Sequence, residues 1–218
     1  MDQISPDRIV EILDDRDPGP VAEACSVMHA AFAEYADGQP SGALLETPES
    51  LLAEMADGLR VLLVRVGGLP VAMVKFRIAD DGSLYFSRLS VHPEARGSGL
   101  AALLVGTLRA EAARHRLSGL SCCVRSDELG NIAFYEHLGM EVTGRGDRTS
   151  LTGAVIPVVL MSDPASLEGR PGSLPPRSRR RGVHRVDRLD GQGLDGVQHV
   201  GRAVVDRIGD PQVEPGDQ

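Results

Sequence analysis

The chain has 218 residues, 42% of them hydrophobic but only 3% aromatic, and a formal net charge of −8. All seven Phe and Tyr lie at or before Tyr135, and the acids concentrate there too: the first 164 residues carry 23 Asp and Glu against 14 Lys and Arg, while the last 54 carry 8 against 9. An acidic folded part disfavours nucleic acid and attracts cations such as amines. The three cysteines, Cys25, Cys122 and Cys123, lack the spacing of a disulfide framework or a metal site. The N-terminus is acidic without a signal-like apolar run, and no segment reaches the roughly 18 apolar residues of a membrane span. These features predict a soluble protein of a reducing, cytoplasmic compartment.

Along the chain, Arg8 to Leu13 alternates like a strand and is followed by the breaker Asp17-Pro-Gly-Pro20. From Val21 the residues Ala24, Met28, Ala31, Phe32 and Tyr35 recur at helical spacing, ending near Asp37-Gly38. Thr47-Pro48-Glu49 opens a second helix, with Thr as N-cap, Pro at the first position and an acid in the first turn, closing at Gly58. Arg60 to Val66, Leu69 to Ala79 and Ser83 to Val91, separated by Gly67-Gly68 and Asp80-Asp81-Gly82, predict an antiparallel meander. A Gly-rich turn leads into a helix over Leu100 to Leu117. Then come a short strand at Gly119 to Val124, a helix at Leu129 to Leu138, and strands at Met140 to Gly146 and Ala154 to Met161.

Beyond Asp163 the periodicity fails and Gly, Pro, Arg and Asp dominate, so the expected organisation is one domain over 1–164 and a disordered tail over 165–218. The skew of 22 Arg to one Lys fits GC-rich coding DNA, and a shifted or extended reading frame would produce such a tail. Its Ser178-Arg-Arg-Arg181 run lacks the interleaved aromatics of a nucleic-acid site.

The chemistry concentrates in Arg96-Gly97-Ser98-Gly99-Leu100-Ala101, between a strand and a long helix. Backbone N–H groups unhindered at the glycines converge there, and the helix N-terminus adds partial positive charge, so the turn suits a pyrophosphate. The same letters fit a dinucleotide fingerprint, Gly97-x-Gly99-x-x-Ala102. That fingerprint belongs at the end of a strand in an early βαβ unit with an acid some 20 residues on, and here His92-Pro-Glu-Ala95 intervenes and the stretch 117–121 holds Leu, Ser and Gly. No Gly-Lys-Ser/Thr completes a Walker loop.

The run Leu89-Ser-Val91-His-Pro93-Glu-Ala-Arg96-Gly97-Ser-Gly99-Leu-Ala101 resembles the acyl-CoA-binding motif of the GNAT family: Arg or Gln, two residues, Gly, one residue, then Gly or Ala. Asn131-Ile-Ala133-Phe134-Tyr135-Glu-His-Leu138-Gly139 resembles the family's later Asn, Ala, Phe-Tyr, Leu-Gly segment. The resemblance covers about residues 8 to 162. It implies a mixed α/β (α+β) fold with a mostly antiparallel central sheet flanked by helices, whose strands splay near Val91 and Val124.

It also implies transfer of an acetyl group from acetyl-CoA to a primary amine by direct attack, with no metal. Amides of Arg96, Gly97, Ser98, Gly99, Leu100 and Ala101 would take the pyrophosphate. Leu89, Ser90 and Val91 would line the pantetheine arm and polarise the thioester carbonyl, with Asn131 beside them. Tyr135 would protonate the departing thiolate. The strand Phe86-Ser87-Arg88-Leu89-Ser90 lacks the Glu that many members carry. Glu46 is therefore the first candidate for general base, followed by Glu34, Tyr35 and Asp37. The expected partners are the amine acceptor and, as a possible homodimer, a second copy of the chain, with neither nucleic acid nor membrane. The missing carboxylate keeps a second reading open, a non-catalytic acyl-CoA-binding regulatory module.

Overall fold

The computed structural model describes residues 7–33, 41–149 and 153–164. The expectations for residues 165–218, and for Glu34, Tyr35 and Asp37 as bases, lie outside those residues. Seven strands form one mixed, mostly antiparallel sheet: β1 (Arg8–Ile12), β2 (Arg60–Val66), β3 (Leu69–Ile78), β4 (Leu84–Val91), β5 (Leu120–Arg125), β6 (Glu141–Thr149) and β7 (Val155–Ser162). Their spatial order is β1-β2-β3-β4-β5-β7-β6. Among the described residues four α-helices flank the sheet: α1 (Pro18–Phe32), α2 (Pro48–Ala56), α3 (Leu100–Arg114) and α4 (Leu129–His137).

Strand periodicity sorts the core into two layers. Leu62, Val64, Val74, Phe86 and Leu89 face Leu104, Val105 and Leu108 of α3 and Tyr135 of α4. The residues between them, Val61, Leu63 and Met73, face Val21, Met28 and Phe32 of α1 and Leu51 of α2. Burying each such side chain contributes about 1.5–3 kcal/mol, so these two layers dominate the stability of the fold.

Two helix ends differ from the sequence reading. The breaker Asp17-Pro18-Gly19-Pro20 is itself the start of α1: the Asp17 carboxylate accepts from the Gly19 amide at 3.1 Å, and Pro is tolerated in the first turn, where no intrahelical acceptor is needed. The long helix stops at Arg114 rather than Leu117 because Arg116 adopts φ 56, and the amides of Arg116 and Leu117 turn back to the carbonyls of Ala113 and Ala112. This is a Schellman closure with Arg where Gly is usual.

The feature that positions the site is the contact of β4 with β5. These strands run parallel but pair only at Leu84↔Leu120 and Tyr85↔Ser121. From Phe86 to Val91 the β5 side of β4 has no ladder partner, and a wedge opens between the strands as the family resemblance implies. On its other side β4 stays paired with β3, with one irregularity. Ser87 opposes Lys75 and Ser90 opposes Met73, so Arg88 and Leu89 together face Val74. That is a β-bulge, and Arg88 sits in it with φ 51.

Candidate functional site

The Gly-rich turn lies at the C-terminal end of β4 and opens α3. Pro93–Ala95 forms a short 3-10 turn, and the chain then passes through Gly97 (φ 74) and Gly99 (φ 78), conformations that glycine adopts without a Cβ penalty. Within the described residues the amides of Gly97, Ser98, Gly99, Leu100 and Ala101 donate to no protein acceptor. A Cβ added at Gly97 or Gly99 would meet no atom within 4 Å, so the space in front of the turn is open. Five free donors at a helix N-terminus make an anion cradle.

Arg96 is placed differently from its neighbours. Its amide donates to Pro93 O at 3.3 Å, and its guanidinium Nη2 donates to Ala31 O, in the last turn of α1, at 3.3 Å. The run of free amides therefore starts at Gly97. Arg96 links the turn to α1, where a cation at the C-terminal end is favoured by the helix dipole. Arg8 of β1 ties the turn down from the other side, donating to Ser98 O at 3.4 Å.

Leu89, Ser90 and Val91 are at most 6% exposed, and alternate residues of such an unpaired edge turn their N–H and C=O groups into the β4–β5 wedge. Helix α4 contributes the two residues that the sequence singled out there. Asn131 is 1% exposed, and its Nδ2 has no hydrogen-bond partner within the described protein. A buried amide left unpaired costs about 1–3 kcal/mol. Tyr135 is fully buried, its ring edge-on to Phe86 of β4 at 5.6 Å and to Phe134 at 5.3 Å. Burial, with lesser contributions from Cys122 and Tyr85, pushes its phenol well above its ordinary pKa of about 10. The hydroxyl thus keeps its proton throughout the physiological range.

Glu46 is not a spare carboxylate. Arg88 Nε donates to its Oε1 at 2.7 Å and Lys75 Nζ to its Oε2 at 2.8 Å, and Lys75 also pairs with Glu54 at 2.7 Å. Burial by itself would raise the Glu46 pKa, but the charges and hydrogen bonds of Arg88 and Lys75 outweigh it and hold the carboxyl below the usual carboxylate range. A base so tuned and so occupied is weak. The same wall carries His29, whose Nε2 lies 2.8 Å from Glu46 O, and Phe32, whose ring centroid is 6.0 Å from the Arg88 guanidinium.

Sequence reasoning missed two things here. Lys75 and Arg88 lie in stretches that read only as strands, yet they are 4% and 2% exposed, and Glu46 supplies countercharge to both. Glu128, one turn before Asn131, has a carboxyl raised by burial and by Asp127, a signal that single-sequence patterning does not carry. Cys122 and Cys123 are buried with thiols pushed up by desolvation, which suppresses the thiolate that an acyl-cysteine route requires. Among the described residues no three His, Cys, Asp or Glu gather to hold a metal, and no helix is long and apolar enough to cross a membrane.

A cavity of about 910 Å³ wraps the end of the sheet opposite the cradle, past Tyr85, Arg77 and Ser121. Another, about 590 Å³, touches the turn at Ala95, Ser98 and Leu100.

Comparison with known proteins gives one family. The model of the acetyltransferase (GNAT) family matches residues 27–140. No curated protein matches the chain. Among solved structures, the ribosomal-protein-S18-alanine N-acetyltransferase from Escherichia coli aligns with TM-score 0.60 at 18% identity, over 77% of this chain and 100% of that one. The acetyltransferase of GNAT family from Streptococcus pneumoniae aligns with TM-score 0.56 at 19% identity, over 72% and 98%. Aminoglycoside 6'-acetyltransferase type Ii aligns with TM-score 0.55 at 16% identity, over 75% and 99%. At these identities the likeness is one of fold.

Proposed function

Since the chain belongs to the GNAT acetyltransferase family, we propose that it transfers an acetyl group from acetyl-CoA to a primary amine by direct attack. The observation that carries this reading is the run of five unpaired amides from Gly97 to Ala101 beside the β4–β5 wedge. The residues present fit the donor. The cradle has room for a pyrophosphate in front of Gly97 and Gly99, and the orphaned Nδ2 of Asn131 suits an amide carbonyl of the pantetheine arm.

In this reading the edge of Leu89 to Val91 orients the arm and polarises the thioester carbonyl, a contribution of a few kcal/mol where water is excluded. The amine arrives neutral. Its nitrogen forms a bond to the acyl carbon as the C–S bond breaks, the thiolate takes a proton from the Tyr135 hydroxyl, and the nitrogen gives its proton to solvent water, through which the phenolate is reprotonated. Glu46 enters the proposal as a structural anchor of this wall rather than as the proton acceptor, because both its oxygens are held by cations. The neighbours named for amine-bearing molecules, an S18 alanine and an aminoglycoside, support an amine acceptor as a class.

The occupied Glu46 carboxylate also favours the second reading, a module that binds acyl-CoA without turnover. Calorimetry with acetyl-CoA, on the wild type and on Gly99→Glu, tests both. Binding abolished by that change establishes the site, and an amine panel with release of free thiol as readout then separates enzyme from module. No binding to the wild type overturns both.

A further inference from the structure

We infer that the Glu46–Arg88 ion pair is a positioning device: it locks β4 in the bulge at Arg88 and so selects which backbone groups of Leu89 to Val91 face the wedge. The inference rests on the acetyl-transfer reading for its consequence, though not for its geometry.

Arg88 occupies a left-handed conformation (φ 51) that L residues with a Cβ adopt only when their surroundings impose it. The surroundings here are specific. The guanidinium is 2% exposed, Nε donates to Glu46 Oε1 at 2.7 Å, and its plane lies near Phe32 of α1. Glu46 is itself fixed from three directions: by Arg88 of β4, by Lys75 of β3, and through its carbonyl by His29 of α1. Lys75 is anchored in turn by Glu54 of α2. Glu46 therefore joins β3 and β4 at its carboxylate and α1 at its carbonyl, and Lys75 extends the network to α2. On the β4 backbone, Ser90 Oγ donates to Arg88 O at 3.0 Å and closes the bulge from inside.

The register gives the bulge its consequence. With it, Ser90 opposes Met73 and Val91 opposes Ala72. Without it, Leu89 would oppose Met73, a slip of one residue. Such a slip inverts the strand beyond it, turning the Leu89 and Val91 side chains from the α3–α4 layer towards the α1–α2 layer and exchanging the N–H groups that face β3 for those that face the wedge. An amide polarising a thioester carbonyl works only if aimed, so a partial slip would lower turnover while the cradle, on the following turn, still binds.

The test uses Glu46→Gln, Arg88→Gln and Arg88→Gly, the last because glycine accepts φ 51 without an ion pair. Glu46→Gln and Arg88→Gln should each lower kcat by about 100-fold, the scale of a misplacement near 1 Å. The calorimetric Kd for acetyl-CoA should stay within about threefold, as expected when only transition-state contacts are lost. Arg88→Gly should recover most of the lost kcat, and adding Glu46→Gln to it should change nothing further. Unchanged kcat in Glu46→Gln, additive effects in the double variant, or loss of the acid limb when Glu46→Gln is placed on Arg88→Gly would overturn the inference; the last would make Glu46 a base. If the wild type shows no transfer, the reading of function fails by itself. A crystal structure of Glu46→Gln then decides this inference alone: position 88 leaving the left-handed region supports it, and an unchanged bulge overturns it.

Discussion

Arg88 Nε and Glu46 Oε1 meet at 2.7 Å with side chains 2% and 12% exposed, a charge pair almost wholly out of water. Pairs of this kind gain little over an apolar replacement of the same shape, but removing one partner leaves the other's charge in low dielectric and costs about 3–5 kcal/mol. Glu46→Gln should therefore destabilise the protein by about 3 kcal/mol in denaturant titrations at pH 7. The folded-state pKa of Glu46 lies below its unfolded value because Arg88 and Lys75 overcome the opposing effect of burial. The stabilisation is thus present above the unfolded value of about 4.3 and is lost as pH falls through the folded one. The gap between wild type and variant should narrow below about pH 4; a gap independent of pH would show that the carboxylate's charge is not what stabilises.

The bulge has its own signature in stability. At φ 51 an alanine meets the steric penalty that a glycine does not, about 1 kcal/mol. Both Arg88→Gly and Arg88→Ala delete the guanidinium, so their difference isolates the backbone. Arg88→Gly should be more stable than Arg88→Ala by about 1 kcal/mol in paired urea titrations, whereas at an ordinary strand position glycine would be the weaker of the two. Equal stabilities would mean that β4 relaxes out of the bulge once Arg88 is gone.

Much of this architecture is written locally. Thr47-Pro48 caps α2 as its letters suggest, with Thr47 Oγ1 accepting from the Ser50 amide at 3.2 Å, and β2 runs from Arg60 to Val66 between its turn residues as read. The cradle is legible because glycines at 97 and 99 have a conformational reason to precede a helix. The ion-pair hub was not, since its members at 46, 54, 75 and 88 share no period and meet only when a loop, a helix and two strands pack. The bulge escaped for a related reason: Phe86-Ser87-Arg88-Leu89-Ser90 alternates well enough to pass as a regular strand, and its extra residue shows only in the pairing with β3. Arg96 appeared as a phosphate ligand in its motif, but it also reaches α1, whose distance from the turn no sequence pattern encodes.

Asn131 separates a binding role from a packing role. Its Nδ2 is buried with no partner in the protein, so replacing it with Ala removes an unsatisfied group and should cost less than about 1 kcal/mol of stability. If the pantetheine arm supplies the missing acceptor, the same change should weaken acetyl-CoA binding by about five- to tenfold, the worth of one net hydrogen bond. Calorimetry and thermal unfolding on one preparation read both quantities. A large loss of stability with unchanged affinity would place Asn131 in the fold rather than the site.

Tyr135 offers the sharpest contrast between packing and chemistry. Tyr135→Phe keeps the ring that stacks edge-on to Phe86 and Phe134 and removes only the hydroxyl, so packing is largely preserved. If that hydroxyl protonates the departing thiolate, kcat should fall by about 100-fold with the Kd for acetyl-CoA little changed. Burial, then Cys122 and Tyr85, raise its folded pKa well above 10. Any stability tied to the neutral phenol is therefore complete below the unfolded value of about 10 and is lost as pH rises through the folded one. Between pH 6 and about 9 the wild-type hydroxyl stays protonated, so an alkaline limb in that window must come from another group and should persist in Tyr135→Phe at lower amplitude. A variant with full kcat would make Tyr135 a core aromatic and leave proton delivery to water. A variant whose alkaline limb vanishes would instead show that ligand binding lowers the phenol's pKa far enough for it to titrate during turnover.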